Sequence, residues 1–285
     1  MIFSILVAHY NNYQYFIDCY NSILNQTYQN FEVIIVDDGS NDGSIEKIEE
    51  LLKHDDRFKI FKNEKNEGVG YTKRKCVELA EGDICGFLDP DDALTTDALQ
   101  VSLEAYQKDR DIIATYSKHY VCNEFLEVDK IYDRTIKISN NNPYFFNIHF
   151  EVNHFFTFRR DKYQETEGIV AGVSSAEDQD LYMKLYELGA FFFINKPLYL
   201  YRIHQQGISH NKDKKEALKK NWHFVLSETL KRRNIKVLYG TPVEQIDCLP
   251  KFLFEKENTF LKRAIRKITR CIFEFKTNLF NKNRG

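Results

Sequence analysis

Four short apolar runs, residues 2–8, 31–36, 58–61 and 84–88, alternate with three segments of helical period across the first 88 residues. No other feature of the chain limits the fold as much. Between the first two runs, Tyr15, Phe16, Cys19, Tyr20, Ile23 and Leu24 recur at the spacing of one helix face, predicting a helix over 13–25. A second helix is predicted from a cap at Asp42 or Ser44 to about Lys53, and a third over 70–80. Strand–helix–strand alternation builds right-handed crossovers, and so an α/β fold with a Rossmann-like, mainly parallel central sheet flanked by helices. Runs this short and this apolar suit strands covered on both faces.

Ligands of such sheets bind beyond the carboxyl ends of the strands. Here those ends carry residues 9–12, 37–42 and 89–92, all polar, and the three clusters are predicted to meet at one cleft. The third is the sharpest: Asp89, Asp91 and Asp92 fall within four residues, around Pro90. Like charges so close repel one another unless a cation neutralises them. Hard carboxylate oxygens suit Mg²⁺ or Mn²⁺ shared with substrate phosphates. Asp and Pro also make ordinary turns and caps, so the cluster alone leaves both readings open.

Three further motifs have the same double character. Asp37-Asp38-Gly39-Ser40 is a turn, or a loop in which Asp38 accepts a hydrogen bond from a base or ribose. Gly68 and Gly70 precede a helix bearing Lys73, Arg74 and Lys75, a place where backbone and cations approach phosphate. The spacing matches neither the dinucleotide fingerprint nor a P-loop. Glu177, Asp178 and Asp180 open a predicted helix over 177–188; acids there answer the helix dipole, or else Glu177 or Asp178 serves as a general base. Arg202 and His204 follow a predicted strand in a loop running to Ser209, suited to closing over phosphate, although a lone His is commonly structural.

The middle of the chain predicts strands of a mixed sheet at 112–116, 130–138, 154–159, 191–194 and 198–201. The expected division is 1–95 for nucleotide binding, 96–210 for the acceptor and catalysis, and 211–285 as a basic helical C-terminal extension. A chain of 285 residues with 43% hydrophobic and 14% aromatic residues has ample material for a core, which excludes a disordered class. No apolar run is long enough to cross a bilayer. Met1 runs directly into a strand-like segment, so no leader is expected. Six cysteines without close pairing are expected as reduced thiols, in a cytoplasmic setting. The net charge of −2 hides an asymmetry: beyond residue 257 there are eight Lys and Arg against one acid, Glu274. In that tail Leu261, Ile265, Ile268, Ile272, Phe275 and Leu279 keep a helical period, which fits an interfacial helix on anionic lipid or a packed helix with a solvated basic face.

Taken in order, 4–11, 22–26, Val36-Asp37-Asp38-Gly39-Ser40, 66–70, Gly82-Asp83 leading to Asp89-Pro90-Asp91-Asp92, and Glu177-Asp178 make a series that resembles the family 2 glycosyltransferases of bacterial surface-polysaccharide synthesis. The resemblance spans about residues 2–210 and implies the GT-A fold, with inverting, metal-dependent transfer of a hexosyl unit from a nucleotide-diphosphate sugar. It implies that Asp38 reads the base, and that Ala8, His9 and Tyr10 line the base pocket. Asp89 and Asp91 would face the ribose and diphosphate; Asp91, Asp92 and His204 would hold Mg²⁺ or Mn²⁺. Asp178, paired with Glu177, would be the catalytic base. Gly68, Lys73 and Arg202 would contact the donor; Lys73 stands where the family usually has Arg.

A UDP-sugar is the expected donor, and a glycan or lipid-linked acceptor on the inner face of the plasma membrane the expected partner, with no nucleic acid. Two alternatives stand beside this: a metal-dependent nucleotidyltransferase, which lacks support in the His9-Tyr10-Asn11-Asn12 loop, and a catalytically weak scaffold at a membrane surface.

Overall fold

A computed structural model describes residues 1–204 and 212–260. Residues 205–211 and the basic stretch 261–285 lie outside the described residues, so the expected C-terminal lipid-binding helix is not among them. No described helix is long and apolar enough to cross a membrane.

The chain opens with β1 (Phe3–His9), α1 (Tyr13–Leu24), β2 (Phe31–Asp37), α2 (Ser44–Leu52), β3 (Phe58–Lys62), α3 (Val69–Leu79) and β4 (Ile84–Phe87). β3, β2, β1 and β4 lie side by side and parallel, as the alternation predicts. Side chains on successive strand residues go to opposite layers. Phe3, Ile5 and Val7 with Val33 and Ile35 pack on α1 and α2, while Leu6, Ile34 and Val36 pack on α3. Both faces of β1 and β2 are thus covered, which is why these two strands show no polar alternation, unlike the partly exposed β3 with Lys59 and Lys62.

Next come β5 (Ala93–Leu94), α4 (Ala98–Lys108), β6 (Ile112–Cys122), β7 (Val128–Ile131), β8 (Thr157–Arg159), α5 (Arg160–Gln164), α6 (Glu177–Tyr186) and β9 (Ala190–Arg202). They extend the same sheet in the order β3-β2-β1-β4-β8-β6-β9-β5, with β7 paired to β6. β8 runs antiparallel to both β4 and β6, so the sheet is mixed beyond β4. α7 (Lys212–Arg232) and α8 (Leu249–Glu257) add a small cluster in which Leu226, Leu230 and Leu253 cover Phe146 and Ile148.

Two expectations for the sheet need correction. The strand predicted over 130–138 is Val128–Ile131, exposed along its length, and most of the chain from 132 to 156 is irregular. The two strands predicted at 191–194 and 198–201 are one continuous strand. Its pairing with β6 slips between Ile194 and Tyr199, around Pro197. Proline donates no hydrogen bond and is tolerated at such a bulge, so it interrupts the ladder without ending the strand.

His119 on β6 shows how tightly this half is packed. It is buried, stacks on Tyr132 at 4.6 Å, and its Nδ1 has no hydrogen-bond partner among the described residues. Burial, reinforced by His154, pushes its pKa from 6.5 down to about 3. The neutral ring therefore contributes stability above pH 6.5 that is lost as pH falls toward 3, at a slope of about 1.4 kcal/mol per pH unit. His119→Phe keeps the stack and removes the titration. Its melting temperature measured from pH 8 to pH 4 is expected to fall less steeply than that of the unaltered protein.

Candidate active site

The parallel strands bring their carboxyl-terminal loops together at one edge. His9 ends β1 fully buried, its Nδ1 2.9 Å from Oδ1 of Asp37 at the end of β2. Ser40 closes the knot, donating from its backbone N to Asp37 Oδ2 at 3.0 Å and accepting from Asn11 N at 2.9 Å. Burial works against the charge on Asp37, but the bonds from His9 and Ser40 hold its carboxyl below the usual range. Ala8 is half-buried beside this knot and Tyr10 is exposed at its rim.

Asp38 faces inward. Its Oδ1 accepts from Asn63 Nδ2 at 2.8 Å and from Glu67 N at 2.9 Å, and its Oδ2 accepts from Gly68 N at 2.9 Å. Three of the roughly four lone-pair sites of a carboxylate are thereby filled. The Asp-Asp-Gly-Ser turn must come very close to the loop that Asp38 holds. Gly39 has φ +72°, and a Cβ there would sit 2.7 Å from the Lys65 carbonyl carbon. Gly68, at φ +93°, is the other position where glycine's freedom is needed, and it starts α3 with its N–H committed to Asp38.

The acidic cluster after β4 divides into different tasks. Asp92 is buried: Tyr199 OH donates to its Oδ2 at 2.7 Å and Arg202 N to its Oδ1 at 2.7 Å. Burial, with Asp91 and Asp89 nearby, pushes the Asp92 carboxyl well above the usual range. Asp91 instead meets His204, with Oδ2 2.8 Å from Nε2. Burial first, then Asp89, raises the Asp91 carboxyl as well. The Arg202 guanidinium is spent on structure: Nε donates to Asp91 O at 2.6 Å, Nη1 to Glu124 O and Nη2 to Asp18 Oδ2 at 2.7 Å. Arg202 also lies over the Tyr15 ring, which in turn packs on His204.

Lys73 crosses the cleft from α3. Its Nζ is 2.9 Å from Asp178 Oδ1, 3.0 Å from Glu177 Oε1 and 3.8 Å from Asp89 Oδ1. Burial opposes its charge, but these three carboxylates outweigh burial and hold the ammonium protonated. The two adjacent acids at the start of α6 separate. Burial raises the Glu177 carboxyl, with Asp178 adding to the effect; at Asp178 the nearby Lys73 cation overcomes burial and lowers it. The Glu177 side chain is 10% exposed and that of Asp178 29%, so Asp178 is the one open to a ligand. Ala176, just before the pair, adopts φ +64°, a strained backbone of the kind that clusters at functional sites.

The pocket beside this cluster is lined by Lys73, Asp89, His154 and Asp178 together with Phe87, Phe156, Leu181 and Tyr182. His154, Tyr182 and Tyr199 were not among the residues singled out from sequence. A signal existed for Tyr199: a buried tyrosine in a strand must find its hydroxyl a partner. His154 opens the strand predicted over 154–159, but the observed strand begins only at Thr157, and no local pattern marks His154 as a site residue.

Among the described residues no group of three or more His, Cys, Asp or Glu is arranged to hold a metal ion. What the geometry offers is a pair, Asp91 and His204. One carboxylate and one imidazole fit a divalent cation that takes its remaining ligands from a substrate diphosphate. Asp92, turned onto Tyr199 and Arg202, is not brought to that pair.

The sheet, crossovers and strand-end cleft define a GT-A glycosyltransferase architecture, and solved structures share it. These include TarS 1–349 of S. aureus in complex with UDP-GlcNAc (TM-score 0.64, 20% identity, 81% of this chain and 72% of that one). Another is the mannosyltransferase PcManGT of Pyrobaculum calidifontis with GDP-Man and Mn²⁺ (TM-score 0.56, 13% identity, 95% of this chain and 79% of that one). The family model for glycosyl transferase family 2 matches residues 4–166, and this chain belongs to that family. Among curated relatives, a chondroitin synthase of Escherichia coli is 32% identical over 89% of this chain and 36% of its own length. A hyaluronan synthase of Pasteurella multocida is 29% identical over 89% of this chain and 25% of its own. The chain thus spans only a quarter to about a third of the length of these relatives.

Proposed function

We propose that this chain transfers a sugar from a UDP-sugar to a hydroxyl of a growing polysaccharide, with inversion at the anomeric carbon and with a divalent cation. The observation that carries the reading is the open, ionised carboxylate of Asp178, set across Lys73 from the acidic edge that ends β4. Asp178 Oδ1 is taken by Lys73, leaving Oδ2 to accept the acceptor's hydroxyl proton. As that proton leaves, the hydroxyl oxygen forms its bond to the anomeric carbon. The anomeric C–O bond breaks on the opposite face, and its electron pair departs with the nucleoside diphosphate. A single displacement of this kind inverts the centre.

Asp91 and His204 would hold Mg²⁺ or Mn²⁺, which when bound neutralises charge growing on the leaving diphosphate. Relatives named for chondroitin and hyaluronan synthesis and a structural neighbour holding UDP-GlcNAc support the choice of polymer and donor class. A lipid-linked acceptor at the inner membrane face agrees with the basic composition of 261–285.

The test is a thermal-shift and turnover screen of UDP- and GDP-sugars with Mn²⁺. A true donor at a hundredfold its dissociation constant adds about 2.7 kcal/mol, or roughly 5–10 °C for a chain of this size. Release of UDP is the expected outcome. Release of pyrophosphate from a nucleoside triphosphate makes the chain a nucleotidyltransferase, and no turnover with any donor makes it a scaffold.

A further inference from the structure

We propose that Lys73 is a positioning residue for the transfer step: its ammonium pins Oδ1 of Asp178 against Glu177, so that Oδ2 faces the acceptor, and it makes no contact with the donor. The proposal rests on the reading of Asp178 as the base. Its grounds are geometric. Lys73 is buried, with its side chain 5% exposed and its Nζ 5.4 Å from the centre of the Phe87 ring. Its two short contacts go to Glu177 and Asp178 and its long one to Asp89, so the acids of α6 hold it more closely than the strand end does. An ammonium enclosed in this way has little left to offer a diphosphate.

The link also joins distant parts of the chain, since Lys73 lies 105 residues before Asp178. α3 starts at the loop held by Asp38, and its Gly70 packs so closely on the 170–173 segment that a Cβ would meet the Val170 carbonyl oxygen at 2.6 Å. Lys73 therefore fixes the first turn of α6 to a helix already seated on the sheet. A carboxylate on a helix start with strained backbone at Ala176 has rotamers to lose, and a fixed partner selects one.

The groups facing Asp178 are Lys73 from α3, Glu177 and Tyr182 on its own helix, Asp89 from the end of β4 and His154 ahead of β8. Among these Lys73 is the permanent cation, so removing it lets Asp178 take up a proton at higher pH. The sign follows: the acid limb of kcat moves upward in pH.

The experiment measures UDP release from UDP-N-acetylglucosamine and UDP-N-acetylgalactosamine, with chondroitin and hyaluronan oligosaccharides as acceptors. Lys73→Met is expected to lower kcat about a hundredfold, leave donor KM within about threefold and raise the acid limb by about one pH unit. Lys73→Arg, which keeps the charge and the buried pairing, is expected to recover about a tenth of kcat and the original limb. A large rise in donor KM with kcat retained, in either variant, overturns the proposal in favour of a donor contact. An unmoved acid limb in Lys73→Met assigns the residue to stability alone. If Lys73→Met does not fold, Lys73→Met/Glu177→Gln removes the excess carboxylate and carries the same measurement, and Lys73→Arg decides between kcat and KM by itself. Asp178→Asn is the separating control. Turnover surviving in it sinks the assignment of the base, whereas a dead Asp178→Asn beside a Lys73→Met of ordinary kcat sinks only the role of Lys73.

Discussion

Asp178→Asn is expected to bind donor normally and to lose about a thousandfold in kcat. The substitution keeps the shape of the side chain and its place beside Lys73, but an amide cannot take the acceptor's proton. Because Lys73 holds the Asp178 carboxyl below the usual range, the unaltered chain is expected to keep this proposed base ionised through neutral and mildly acidic pH. Its rate is expected to decline only at pH values under that range, and the decline disappears in Asp178→Asn along with the rate. Glu177→Gln is a useful contrast. Glu177 is the more buried partner and its carboxyl is raised, so its loss relieves crowding around Lys73 and is expected to lower kcat far less. Donor binding by calorimetry beside UDP release decides the matter. Near-normal turnover by Asp178→Asn would put the proton elsewhere.

The second large effect is on stability. Asp38→Ala is expected to cost about 2–4 kcal/mol, because it leaves the side-chain N–H of Asn63 and the backbone N–H groups of Glu67 and Gly68 without their acceptor. The loss extends further, since Asn63 Oδ1 also receives Lys75 Nζ at 2.8 Å. Asp38→Asn should fall between, as its amide oxygen accepts while its NH₂ meets another donor. Urea unfolding gives the energy, and titration with UDP gives the affinity for the nucleotide. A stable Asp38→Ala that no longer binds UDP would mean that reading the base outweighs holding the loop.

The parallel half of the sheet was plain in the sequence because one signal sufficed there. Short runs such as residues 31–36 have no polar alternation and are bounded by helical period, and β2 is in fact covered on both faces. Past β4 the signals conflict. Pro197 reads as a strand end although it sits in a bulge, and Thr135 and Ile138 keep β-like composition in a segment whose backbone is irregular. At the site, residue types were legible and their directions were not. Asp91 and Asp92 are adjacent in a turn, yet one meets His204 and the other turns into Tyr199, from a strand 107 residues on. Arg202 shows the same limit: a cation near a phosphate-like site is equally well placed to bind carbonyls, and only packing decides.

The slipped pairing between β6 and β9 has a consequence for how this chain tolerates change. Downstream of it, Tyr199 and Tyr201 share one side of the strand, where the His154 ring stacks on both at 4.7 and 5.8 Å, and Arg202 ends the strand next to Asp92. Deleting one residue near Asn195 or Lys196 would turn every later side chain of that strand to the opposite face. Tyr199 would leave Asp92 and His204 would leave Asp91 in the same event, though neither had been altered. The slip thus acts as a phase setting for the whole acidic edge. Length changes in this short stretch should be lethal to function where substitutions are mild, and a deletion scan across 190–197 would be expected to show that sharp asymmetry.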